Sequence, residues 1–196
     1  MNDAVDRAIQ DQQLAGIDVI NDGEMRQRGF VQSFAHRITG LRNVGAPRKV
    51  GEVGLDLEPV FETTGKLVVE HGFGIVEEFT YLKAHVDRPV KGPIPGPFAI
   101  TSFLKPVAHY RDRPHLAEEF VPAINAEIAA LSPARSHAHS GRRARCSWAL
   151  RSDPHRPRDI ARLFNACIAG IRGVKFALHI CFGTYKLANA CLIPKR

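Results

Sequence analysis

A chain of 196 residues, 44% hydrophobic and 24% charged, is long enough for one domain with a sizeable core or for part of a larger one, and its composition is ordinary for a soluble globular protein. The polar, helix-patterned opening MNDAVDRAIQDQQ and the lack of any run of about 18 apolar residues exclude a leader peptide and a membrane span, so a cytoplasmic protein with no membrane partner is expected. The net charge of +7 is concentrated between Ser132 and Arg158, where seven arginines stand against the single acid Asp153; the rest of the chain is close to neutral, so any nucleic-acid binding rests on that one stretch.

Residues Asp3 to Ala15 carry Val5, Ala8, Ile9 and Leu14 on one helical face, and Gly16 has the place of a C-terminal glycine cap. Ile17 to Ile20 reads as a short strand, followed by the polar loop Asn21-Asp22-Gly23-Glu24. Helix, strand and then an acidic loop at the strand's C-terminal end is the rhythm of an α/β protein with a parallel sheet. Chemistry gathers at that end of such sheets, so Glu24 is placed to touch a substrate; a solvated loop acid fits its position equally well. Gly40 to Pro59 reads as an unpacked excursion, Lys66 to Glu70 as a strand, and Ile75 to Val86 as a helix stopped by Asp87-Arg88-Pro89. From Val90 a short strand runs into the proline- and glycine-rich stretch to Phe98, either a structural turn or backbone lining a cleft.

His115 to Leu131 gives the cleanest helical stripe, and Pro157 to Gly170 gives another, with Cys167 on its buried side. Between them no strand is expected: SPARSHAHSGRRARCSWALRSDPH has no apolar alternation. That stretch reads as a phosphate-binding loop, a benign insertion or a segment foreign to the pattern. The cysteines Cys146, Cys167, Cys181 and Cys191 are too irregular for a disulfide framework. In the strand Lys175 to Gly183, alternation sets Phe176, Leu178 and Ile180 on one face and Ala177, His179 and Cys181 on the other. An imidazole and a thiol on one face supply half of a tetrahedral zinc shell; a core histidine beside a packed cysteine is the alternative.

The words QQLAGIDVINDGEMRQRGF, GKLVVEHGFGIVEEFTYLKAHVDRPVKGPIPGPFAI, INAEIAAL, PRDIARLFNACIAGI and LHICFG, in this order and spacing, resemble the cobalamin-independent methionine synthase family in its short catalytic-domain type. The resemblance implies an α/β fold, an incomplete (β/α)8 TIM barrel of the methionine synthase/uroporphyrinogen decarboxylase-like type. It implies methyl transfer from 5-methyltetrahydrofolate to a zinc-bound homocysteine thiolate, with these small molecules as the only partners. His179 and Cys181 then match the first two zinc ligands, Glu24 the acid that holds the amino group of homocysteine, and Asp22 its loop neighbour. The Gly96-Pro97 loop matches the border of the folate cleft.

The departures from the family are as specific. The family's remaining ligands, a Glu and a second Cys, have no counterpart here, nor does the histidine used in proton transfer, and the chain begins after the family's first strand. Where the family has a strand ending in Asp-Glu-Pro stands the basic stretch. His139-Ser140-Gly141-Arg142-Arg143-Ala144 can be encoded CAT TCA GGT CGA CGA GCC, and the same letters read from the second base give Ile-Gln-Val-Asp-Glu-Pro. The expectation is one partial barrel domain over residues 1–196, with a frameshifted basic segment at 132–156 and an aberrant tail at 187–196, truncated at both ends and inactive by itself. Another zinc-dependent thiol alkyltransferase on the same barrel, and nucleic-acid binding through 132–158, are the alternatives.

Overall fold

Ile20, fully buried, marks the first rung of a parallel sheet: its N–H donates to the Pro89 carbonyl at 2.9 Å and its own carbonyl accepts the Lys91 N–H at 2.9 Å. The expected strand over 17–20 thus contracts to a single bridge between Ile20 and Val90. The structure, a computed structural model, describes residues 2–27, 31–45, 48–50, 56–131, 139–145 and 156–181. Before the bridge lies α1 (Asn2–Leu14), which buries Val5 and Ile9, one turn apart. It ends as the sequence predicts, with Gly16 in the left-handed region at φ 75.

Between the bridge and the next helix the chain makes an insertion: a 3-10 segment over Val31–Arg37, then β1 (Thr39–Asn43), β2 (Arg48–Val50), β3 (Asp56–Glu58) and β4 (Phe61–Val68). β1 and β4 pair antiparallel, as do β2 and β3. This corrects the unpacked excursion expected over Gly40 to Pro59. The strands there are short and polar, and the ladder partner, not apolar alternation, makes them strands. β4 likewise starts five residues before the expected Lys66, because FETTG hides its inward face. Thr63 holds that face down: its buried hydroxyl accepts the Val107 N–H at 2.9 Å and donates to the Ala108 carbonyl at 3.0 Å. Thr63→Val keeps the shape and strands both backbone groups, so urea unfolding is expected to read a loss of about 2 kcal/mol.

α2 (Ile75–Ala84) buries Ile75, Phe79 and Leu82. After it come β5 (Pro93–Pro95), α3 (Pro97–Ile100), β6 (Leu104–Lys105), which pairs parallel with β4, and α4 (Arg113–Leu131). α4 is capped by Asp112, whose Oδ1 accepts the His115 N–H at 2.8 Å; that bond, ahead of the neighbouring Arg111, holds the Asp112 carboxyl below its ordinary range. Then follow β7 (His139–Arg145), α5 (Arg156–Ile168) and β8 (Lys175–Cys181). Cys167 is buried on α5 as expected, and the Asn125 amide of α4 donates to the Cys167 and Ala169 carbonyls at 2.9 and 3.1 Å, tying down the end of α5.

β7 is the second correction. Where no strand was expected, the chain runs parallel between β5 and β8, with Pro93 opposite Gly141, and His139 through Arg145 opposite Lys175 through Cys181. A gap between two parallel strands offers hydrogen bonds to any backbone that enters it, whatever its side chains. The α/β class therefore stands: Ile20, Val90 leading into β5, β7 and β8 follow one another across a parallel sheet, with helices in each connection. Among the described residues the sheet does not close on itself, and no helix is long and apolar enough to cross a membrane.

Candidate active site

At the C-terminal end of the Ile20 strand the chain turns sharply through Asn21 to Gln27. Two side-chain turns build the corner: Asn21 Oδ1 accepts the Gly23 N–H and Asp22 Oδ1 accepts the Glu24 N–H, each at 3.0 Å. Gln12 of α1 clamps the start, donating to the Asn21 carbonyl at 2.8 Å and accepting the Asn21 N–H at 3.0 Å. Gly23 is required here: it sits at φ 70, and a Cβ on it would lie 2.8 Å from that of Ala8. Glu24 follows in the same left-handed region at φ 58, a conformation that costs a non-glycine residue about 1 kcal/mol. Asp22 is 2% exposed, and its second oxygen, Oδ2, is buried with no hydrogen-bond partner.

Behind the loop lies a cavity of about 370 Å³, lined among others by Arg26, Phe34, Arg37, Glu78 and Tyr81. Arg26 lies over the Tyr81 ring, its guanidinium carbon 4.3 Å from the ring centre, and donates to Asn2 Oδ1 at 2.8 Å. Glu78 is the perturbed acid of this region. Burial, then the charge of Asp22, push its carboxyl up to about 7, against the opposing pull of the Gln27 amide, Arg26 and Arg37. The sequence reading did not single out Glu78; VEEF announces acids in the first turn of a helix but not which of them is buried.

The second half of the site is β8. Leu178, itself 41% exposed, lines a small cavity with Ile160, Leu163 and Phe164 of α5 and with Pro97 and Phe98. Alternation sends His179 to the opposite side, where it is exposed. It is thus not a packed core histidine. Cys181, two residues on, ends the strand, and its side chain lies outside the described ones. In a parallel sheet, the end of β8 and the Asp22–Glu24 loop share one edge. Three strand-to-strand steps separate them, roughly 14 Å measured along the sheet. Among the described residues no three of His, Cys, Asp and Glu come together as a metal cage. The exposed His179 imidazole is open to serve as one corner of such a cage.

The sequence profile of the catalytic domain of cobalamin-independent synthase matches residues 1–136. The chain belongs to the cobalamin-independent methionine synthase family. Among solved structures, a B12-independent methionine synthase from Shewanella sp. W3-18-1, in complex with selenomethionine, superposes with a TM-score of 0.76 at 28% identity, over 92% of this chain and 51% of that one. The methionine synthases of Saccharolobus solfataricus and Sulfolobus acidocaldarius are each 30% identical over 94% of the chain, which covers 53% and 52% of their lengths. The chain thus spans about half the length of the relatives it matches. The profile match ends at 136, inside the basic segment.

Proposed function

We propose that this chain carries the thiol-binding half of a zinc-dependent homocysteine methyltransferase with 5-methyltetrahydrofolate as methyl donor, on an incomplete (β/α)8 barrel that spans residues 1–196. The observation that carries the reading is the shared edge: His179 stands open on the face of β8 opposite Leu178, at the same C-terminal rim as the Asp22–Glu24 loop. An amino-acid thiol has its sulfur at one end and its ammonium at the other, so it needs a soft-metal site and a carboxylate set apart on one rim. His179 and Cys181 would hold zinc through one nitrogen and one sulfur. When bound, zinc keeps a thiol ionised near neutral pH while leaving the sulfur nucleophilic.

The residues of the chain do the rest of the binding. Glu24, held in its left-handed turn, accepts hydrogen bonds from the substrate ammonium. Asp22 fixes that turn by holding the Glu24 N–H. The Gly96-Pro97 turn, which lines the same small cavity as Leu178, borders the folate side.

Cobalt(II), a spectroscopic stand-in for zinc, provides the test. Added to the reduced chain, it is expected to give a thiolate-to-metal absorption band that grows with L-homocysteine and disappears in His179→Ala and Cys181→Ser. Glu24→Gln is expected to weaken the homocysteine response about tenfold, the worth of one charge-assisted hydrogen bond, and to leave the metal band unchanged. A band insensitive to both ligand substitutions overturns the reading.

A further inference from the structure

The cavity behind the loop is lined by three residues with a buried polar atom that has no hydrogen-bond partner among the described residues: Nη1 of Arg26, Nε2 of Gln27 and Oε2 of Glu78. Two are donors and one is a carboxylate oxygen. Each is costly where it stands, because a buried polar group without a partner forfeits its bonds to water. The three do not satisfy one another. Arg26 is held the other way, its Nη2 donating to Asn2 Oδ1 at 2.8 Å and its guanidinium lying over the Tyr81 ring. The Gln27 amide draws on the Glu78 carboxyl without reaching hydrogen-bond geometry. The rest of the lining narrows what would satisfy them. Phe34 and Phe73, both buried, meet edge to face with 5.8 Å between ring centres and form an apolar wall. Arg26 and Arg37 are matched by Glu77 and Glu78, so with His36 neutral the lining carries no net charge. At about 370 Å³ the space suits one ring or two fused rings.

We propose that this cavity binds a flat, neutral amide: its carbonyl oxygen accepts from Arg26 Nη1 and Gln27 Nε2, its N–H donates to Glu78 Oε2, and its ring lies against Phe34 and Phe73. An amide carries an acceptor and a donor side by side without net charge, and its carbonyl oxygen has two lone pairs for the two donors. A carboxylate or phosphate would set its charge against Glu78. An ammonium would leave Arg26 and Gln27 as they are. The same edge occurs in two sources, a ring lactam such as that of a nucleobase and a carboxamide attached to a ring. Neither His179, Cys181 nor Glu24 takes part, so the site goes beyond the methyltransferase reading and does not rest on it.

Calorimetric titration of the full chain provides the test, with uracil and hypoxanthine as ring lactams and nicotinamide as the carboxamide. At least one of them is expected to bind with a Kd of about 1 mM or tighter, the reach of so small a molecule, and whichever binds identifies the source. The same compound with every amide N–H methylated keeps its carbonyl and loses the donor, so it is expected to bind about tenfold more weakly; this comparison needs no variant. Arg26→Met and Glu78→Met are each expected to weaken binding of the unmethylated compound about tenfold, with a near-ultraviolet circular dichroism spectrum like that of the wild type showing that each folds. No binding by any of the three, equal binding of the methylated counterpart, or binding that both folded variants leave unchanged overturns the inference. The cobalt titration is a separate measurement: its failure removes the zinc reading and leaves this one standing.

Discussion

Glu127→Ala is expected to destabilise the folded chain by about 4 kcal/mol, read from the urea midpoint at unchanged slope. Glu127 reaches out of α4 to the start of α2, where its carboxylate accepts the N–H groups of Phe73, Ile75 and Val76 at 2.9, 2.8 and 3.2 Å. The first N–H groups of a helix have no partner within it, and these are too deep for water, because Phe73 and Ile75 are buried and Glu127 itself is 5% exposed. Each buried N–H left bare costs about 1–3 kcal/mol, and the carboxylate loses its place at the positive end of the helix. Glu127→Gln keeps one acceptor oxygen, enough for Ile75 and Val76, so about half of the loss is expected. Gly72→Ala approaches the same loss from the other side. Gly72 sits at φ 66, and any Cβ there would collide with the Glu127 carboxylate, so the two substitutions together are expected to cost less than the sum of their separate losses.

Glu127 also shows where the sequence was readable and where it was not. Its position lies on the buried stripe of α4, with Ile124, Ile128 and Leu131, and an acid on an apolar stripe is a signal for a buried partner that helical periodicity exposes once it is sought. The helices were legible because packing selects every third or fourth side chain: Ile75, Phe79 and Leu82, or Leu163 and Cys167, declare their face. β8 alternates Leu178 and His179 to opposite sides, but both are exposed, so burial does not mark its faces. The insertion strands were not legible. β2 and β3 are three residues each, too short to alternate, and exist because each supplies the other's ladder. Glu24 could be placed by its loop alone. Glu78 could not, because the cavity it lines is shared with Arg26, Gln27, Phe34 and Arg37, all distant in sequence.

β7 is the sharpest disagreement between sequence and fold, and it carries the second large prediction. A strand between two parallel neighbours is covered on its helix side and reads as largely apolar in ordinary α/β proteins, yet His139 to Arg145 offers HSGRRAR at that place. We propose that the codons of residues 132–156 are read in a shifted frame. Sequencing the coding DNA is then expected to find Ile-Gln-Val-Asp-Glu-Pro in the second reading frame over 139–144, and DNA that encodes no such word ends the proposal. Restoring the frame puts Ile and Val, two positions apart, on one face of the strand. Burying two branched side chains contributes about 2 kcal/mol each, so a gain near 4 kcal/mol in urea unfolding is expected, together with the removal of several arginines from the middle of a sheet. The Asp codon straddles positions 142 and 143, and Arg143 lies opposite His179. The repaired chain should therefore place a carboxylate at the rim between the Glu24 loop and β8, and bind L-homocysteine about tenfold more tightly. A repaired chain no more stable than the present one would mean that the arginines belong where they stand.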